Sequence, residues 1–192
     1  MKKLFYTLPL LFIFSQLQGC VAGLFVATGT AIAVESDSRS VNQQIDDKEL
    51  AMNAAEKVQQ LKIHPDLIRI NYIANDGHLL LIGQVNTQEN KDAIDKQINT
   101  LTNIKGLYNQ LQIGSPLGFS QQSKDTWITT KVKTMLAADE EIDPLKIKVI
   151  TENGEVYLIG QISAEMADNA TNITRKVEGV KKVNRIFQFT DK

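Results

Sequence analysis

The chain has 192 residues, with 21 lysines and arginines against 22 aspartates and glutamates, two histidines and one cysteine. A net charge of -1 gives no bulk attraction for nucleic acid, and a 43% apolar content excludes a wholly disordered chain and a multi-span membrane protein. One cysteine cannot close an internal disulfide or build a thiolate metal site, and His64 and His78 are too few for most catalytic or metal constellations.

In chain order, Lys2 and Lys3 precede an uncharged apolar stretch, residues 4–17, broken by Pro9. That is the layout of a secretory signal over residues 1–19, and it is short for a membrane span of about 20 residues. Leu17-Gln18-Gly19-Cys20 then resembles a bacterial lipobox, in which the cysteine is diacylated, freed by cleavage and N-acylated. The only cysteine of the chain stands at that position, which makes Cys20 the expected lipidation site. Residues 21–34 are also uncharged, so residues 4–34 admit a second reading as one long transmembrane anchor. Pro9 and the glycine, alanine and threonine content of residues 21–34 weigh against it. Residues 35–44 are polar and serine-rich, so residues 20–44 are expected to form the lipidated N-terminus and a flexible tether.

The remainder is one unit written twice. Asn75-Asp76-Gly77 and the apolar run to Val85 recur 77 residues later as Glu152-Asn153-Gly154 and the run to Ile162. Each copy is expected to open with a helix, near 48–61 and near 126–138. Ile68, Ile70 and Tyr72 alternate with polar residues, as do Leu145, Ile147 and Val149, and predict half-buried strands. Asp76-Gly77 and Asn153-Gly154 suit tight type I′ turns. The returning strands, 79–85 and 156–162, are nearly all apolar and predict cover on both faces. Gly83 and Gly160 interrupt them where another element needs close approach. Thr87 and Ser163 are candidate caps for a second helix, which carries Ile94, Ile98 and Leu101 in one copy and Met166, Ala170, Ile173 and Val177 in the other. A last strand closes each copy near 107–113 and 183–189. About 70 residues is marginal for one core, so the two units are expected to pack together. The expected domains are 45–113 and 123–191, joined by a linker at 114–122 that contains Gly114-Ser115-Pro116-Leu117-Gly118.

This order resembles the BON domain. The second copy carries the resemblance best, in Gly154-Glu155-Val156-Tyr157-Leu158-Ile159-Gly160 and in Val177-Glu178-Gly179-Val180-Lys181-Lys182-Val183; the first departs from it at Asn103, where the family usually has glycine. Leu17-Gln18-Gly19-Cys20-Val21-Ala22, Arg39-Ser40-Val41 and Asp125-Thr126-Trp127-Ile128-Thr129-Thr130-Lys131-Val132 are similar to the dual BON-domain outer-membrane lipoproteins. The resemblance implies an α+β fold of two tandem BON domains, each helix–strand–strand–helix–strand with a small mixed sheet packed by two helices. Gly77, Gly83, Gly154, Gly160 and Gly179 are its structural glycines. It further implies a non-enzymatic, lipid-anchored outer-membrane protein facing the periplasm, which binds anionic phospholipid through the second domain, supports envelope integrity and gathers at the division site.

The residues bear on that reading directly. Trp127, the only tryptophan, lies about 100° from an expected core stripe of Ile128, Val132 and Met135. It shares its side with Lys131 and Thr134, with Lys124 and Lys133 nearby, and Thr126 and Thr130 complete the expected lipid contact. Asp139, Glu140, Glu141 and Asp143 follow and would repel an anionic surface, which confines contact to the N-terminal end of the helix. The competing readings are an envelope interaction scaffold for a protein partner or peptidoglycan, with Trp127 a packing residue only, and a sensor of small ligands or ions. No catalytic set, phosphate-binding glycine loop or metal-ligand spacing is present, so no cofactor, metal, nucleic acid or small-molecule substrate is expected.

Overall fold

The computed structural model describes residues 40–102 and 104–190. The expected signal segment, Cys20, the tether as far as residue 39, the alternative anchor at 4–34, Asn103 and residue 191 lie outside the described residues. No helix among the described residues is long and apolar enough to cross a membrane.

α1 (Val41–Gln59) starts at a capping box: Ser40 Oγ accepts from the Gln43 N–H at 3.3 Å, and the Gln43 side chain accepts from the Ser40 N–H at 3.1 Å. The helix therefore begins well before residue 48, and 41–44 belong to the folded domain instead of the tether. A single 3-10 turn (Pro65–Leu67) leads into β1 (Ile68–Asn75). β2 (His78–Val85) returns antiparallel, and α2 (Gln88–Ile98) is capped by Thr87, whose hydroxyl accepts from the Asn90 N–H at 3.2 Å. β3 (Gly106–Ile113) then pairs parallel with β2, giving the order β1-β2-β3.

The second copy repeats this arrangement. α3 (Phe119–Ala137) begins directly after Gly118 and takes residues 119–122 from the expected linker. β4 (Lys148–Glu152), β5 (Glu155–Ile162), α4 (Ala164–Thr174, capped by Ser163) and β6 (Lys182–Phe189) form the second sheet in the order β4-β5-β6. Leu145 was expected on its first strand. It sits instead, exposed, in a 3-10 turn (Pro144–Lys146), because Pro144 opens the turn and Asp143 Oδ1 accepts from the Leu145 N–H at 3.1 Å. Both hairpin turns have positive φ at both central residues, 49° and 73° at Asp76 and Gly77, 53° and 77° at Asn153 and Gly154, as the type I′ turn requires.

Each returning strand is covered on two sides. Leu79, Leu81 and Val85 pack with Leu50, Ala54, Val58, Ile94 and Ile98 of the first domain's helices. Val156, Leu158 and Ile162 pack with Ile128, Val132, Leu136, Ala167 and Ala170 of the second. Their opposite faces meet between the domains, where Ile73, Leu80 and Ile82 join Ile150, Tyr157, Ile159 and Ile186. The layers therefore run helices, sheet, sheet, helices. Ile73 matches Ile150, Leu80 matches Tyr157 and Ile82 matches Ile159, each 77 residues apart, so the seam is a pseudo-twofold. Its rim repeats the symmetry: Gln112 Nε2 donates to Glu155 Oε1 at 2.9 Å, and the matching Gln188 Nε2 meets His78 Nδ1 at 2.5 Å. Burial works against the Glu155 carboxylate, yet Asn184, Lys182 and Gln112 outweigh it and hold its pKa below the usual glutamate value. Burial also pushes the Tyr72 phenol up to about 12. The same cause, with Glu155 adding to it, raises the phenol of Tyr157.

Candidate membrane-contact site

One carboxylate in each domain fastens the first helix to the hairpin turn. Asp47 accepts from the N–H groups of Asp76 and Gly77 at 2.8 and 2.9 Å, and Asp125 accepts from those of Asn153 and Gly154 at 2.8 Å each. The turn presents two successive N–H groups in one direction, a small nest for an anion. Sequence reasoning missed both clamps. Their signal was available: an aspartate recurs at matching places in two otherwise divergent helices. Asp125→Ala strands two backbone donors and is expected to lower stability by about 2–4 kcal/mol, with Asp125→Asn losing roughly half as much. Urea denaturation of the two variants checks this, and an unchanged midpoint for Asp125→Ala would refute the clamp.

With Asp125 so held, α3 turns Ile128, Val132 and Leu136 into the core. Met135, expected in that stripe, is exposed, because Leu136 fits the core spacing that begins at Asp125. Trp127 is 46% exposed on the outward half of the helix, and Lys131 Nζ lies 4.0 Å from its ring centroid. Lys131 also stands 3.9 Å from Glu178, in the loop between α4 and β6 of the same domain, a loose surface pair. Lys124 and Lys133 are exposed. At 100° per residue, Lys124 and Lys131 flank Trp127 on one side of the outward face and Lys133 lies on the other.

Between these flanks the hydroxyls turn inward. Ser123 donates to Phe119 O at 2.9 Å, Thr126 to Gln122 O at 2.9 Å, Thr130 to Thr126 O at 3.0 Å and Thr134 to Thr130 O at 3.0 Å. Each hydroxyl donor is satisfied within its own helix, which lowers the cost of taking this face out of water. At its N-terminal end stands Phe119, 86% exposed, which sequence reasoning had left in the linker. The structure thus gathers Thr126, Trp127, Thr130, Thr134 and the three lysines on one helix, and adds Phe119 and Ser123.

The acidic turn after α3 is occupied locally. Asp139 Oδ1 accepts from the Glu141 N–H and from Asn169 Nδ2, both at 3.1 Å, Glu141 Oε2 from Asn169 at 3.1 Å, and Asp143 caps the 3-10 turn. At 1.5 Å per residue, the end of α3 at Ala137, after which the acidic turn begins, lies about 15 Å along the helix from Trp127, beyond a Debye length in physiological salt.

The family model of the BON domain matches residues 46–115 and 124–190. The chain belongs to the BON-domain family. Over 178 residues it is 38% identical to the Outer membrane lipoprotein DolP of Haemophilus influenzae, covering 91% of each chain. It is 37% identical over 153 residues to the 21 kDa hemolysin of Actinobacillus pleuropneumoniae, covering 80% of this chain and 79% of that one. A more distant relative is Osmotically-inducible protein Y of Escherichia coli, 26% identical over 178 residues. Two BON domains, with 38% identity over 91% of the chain to that outer membrane lipoprotein, make the chain a dual BON protein of the outer-membrane lipoprotein type.

Proposed function

We propose that this BON protein is a non-enzymatic, lipid-anchored protein facing the periplasm that holds anionic phospholipid with the outward face of α3 and so supports outer-membrane integrity, including at the division site. The observation that carries the lipid contact is the composition of that face: Phe119 and Trp127 exposed on one helix, lysines on both flanks, and the intervening hydroxyls bonded inward. Aromatic rings of this kind lie among headgroups while lysines meet phosphates, each cation contributing about 1 kcal/mol near an anionic surface. Three acyl chains on Cys20 supply the attachment, and the α3 contact then acts at high effective concentration to set orientation.

Trp127 is the only tryptophan and serves as its own probe. With residues 21–192, vesicles containing phosphatidylglycerol should shift its emission to the blue and neutral vesicles should not, the shift fading with added salt. Lys131→Glu and Trp127→Glu, the latter followed by vesicle sedimentation, are each expected to weaken binding about tenfold or more. Unchanged emission with the protein left in the supernatant defeats the lipid reading and leaves α3 as a surface for an envelope or division protein.

A further inference from the structure

Lys131 is shared between two partners. Its Nζ lies 4.0 Å from the centroid of the Trp127 ring and 3.9 Å from Glu178 Oε2. The ring stands one turn away on α3, whereas the carboxylate comes from the loop between α4 and β6. Three contacts hold that loop against the helix and the hairpin. Val177 is buried in the core, and the Lys181 N–H donates to Gly154 O of the hairpin turn at 2.8 Å. Gly179, at a φ of 87°, passes so close to α3 that a Cβ there would lie 3.0 Å from Ile128 Cδ1. The backbone of Glu178 is therefore placed beside Lys131, while its side chain stays 83% exposed. Lys131 is its only ion-pair partner among the described residues.

The fold does not demand this pair. The clamp carboxylates Asp47 and Asp125 align α1 with α3 at an offset of 78, at which Trp127 and Lys131 become Glu49 and Asn53. The closing loops align at 76, where Glu178 becomes Thr102. The first domain thus keeps the clamp and the core without the ring, the cation or the carboxylate. All three occur together in the domain whose helix carries the lysine-flanked face.

A carboxylate beside a surface that receives phosphate opposes each encounter with it. We propose that Glu178 is the resident counter-ion of Lys131, which anionic headgroups must displace, so that it sets how much anionic lipid a membrane must hold before α3 settles on it. The inference rests on the lipid reading of α3 above. In the absence of lipid the carboxylate occupies the ammonium. A neutral membrane has no surface potential to drive the exchange. A membrane rich in phosphatidylglycerol attracts the ammonium and repels the carboxylate at once, and Lys131 passes from Glu178 to phosphate. A surface pair this long and exposed is weak enough to be exchanged.

The test uses residues 21–192, which hold both domains and every contact named here. Vesicles of phosphatidylcholine with a rising fraction of phosphatidylglycerol are sedimented, because emission would also respond to the ammonium leaving the indole. Glu178→Gln should bind about three- to fivefold more tightly at intermediate fractions, reach half-binding at a lower phosphatidylglycerol fraction, and gain nothing on neutral vesicles. Its urea midpoint should match the parent's, as befits an exposed side chain. In a Lys131→Gln background the gain from Glu178→Gln should shrink at least twofold, since no cation is left to release. Glu140→Gln, which removes an equally exposed carboxylate from the acidic turn, should change binding less than twofold. Unchanged binding by Glu178→Gln would overturn the proposal. So would an equal gain in the Lys131→Gln background or from Glu140→Gln, either of which would reduce Glu178 to general repulsion. If the parent chain sediments at no phosphatidylglycerol fraction, the lipid reading of α3 fails and this inference falls with it; if the parent binds and Glu178→Gln does not differ, only the inference falls.

Discussion

Gly83→Ala and Gly160→Ala are each expected to destabilise the chain by about 3 kcal/mol or more, the largest single-methyl effects in the molecule. A Cβ at Gly160 would lie 2.1 Å from Lys146 O, and one at Gly83 would lie 1.9 Å from Arg69 O. Both obstacles are backbone oxygens leading into or along the neighbouring strand, so no side-chain rotation relieves them. The central strand must separate from its antiparallel partner, which loosens a helix-facing core and the interdomain face together. Gly83 adds a φ of 135°, where a side chain is strained whatever the space, so its variant should be the worse of the two. An ordinary glycine-to-alanine change stabilises by restricting the unfolded chain, which fixes the control. Gly114→Ala, with nothing within 4 Å of the new methyl, should be neutral or slightly stabilising. Urea midpoints of the three variants decide the matter: a wild-type midpoint for Gly160→Ala would mean that the strands are not held this close.

Much of this was legible in the sequence, and the exceptions have physical causes. Duplication, type I′ turns, caps at Thr87 and Ser163, and two-sided cover on β2 and β5 all follow from local chemistry, and the structure carries each of them. The helix starts were misplaced because polar first turns look like linker; Ser40 and Gln43 announce the first start as a capping box, whereas Gly118 offers no side-chain signal for the second. The polar residues of β1 read as a solvent face. Arg69 and Asn71 instead meet a carboxylate 83 and 81 positions away, a pairing that no periodicity encodes. At the candidate site, Trp127 and its lysines announced themselves by residue type. Phe119 did not, being isolated among polar neighbours, and the inward turn of Ser123, Thr126, Thr130 and Thr134 is a rotamer choice that only coordinates reveal.

Glu152 is where the two domains are tied most strongly, and its loss should uncouple them. It is buried, and its two oxygens accept from Arg69 Nη1 at 2.6 and 2.7 Å, from Gln84 Nε2 at 2.8 Å and from Asn71 Nδ2 at 3.1 Å. Every donor comes from the first domain. The pseudo-twofold counterpart of Glu152 is Asn75 and that of Arg69 is Lys146, so this charge pair breaks the symmetry of the seam and has no twin. Gln84 is buried as well, and its Oε1 accepts from the Leu117 N–H of the interdomain segment at 3.1 Å. Glu152→Ala therefore strands a guanidinium and a buried amide at once. Breaking a buried pair costs about 3–5 kcal/mol; part of the Arg69 side chain still reaches water, which lowers the expectation to about 2–4 kcal/mol. The helix-facing cores keep their own contacts, so the loss should fall on the seam: calorimetry is expected to resolve two transitions where the parent chain has one. Glu152→Gln should not rescue the pair, because one end of its amide turns a donor toward donors. Glu152→Met with Arg69→Met should recover much of the loss, since removing both charges leaves neither buried alone. A single transition at the parent midpoint in Glu152→Ala would show that the apolar seam of Leu80, Ile82, Tyr157 and Ile159 holds the domains together unaided.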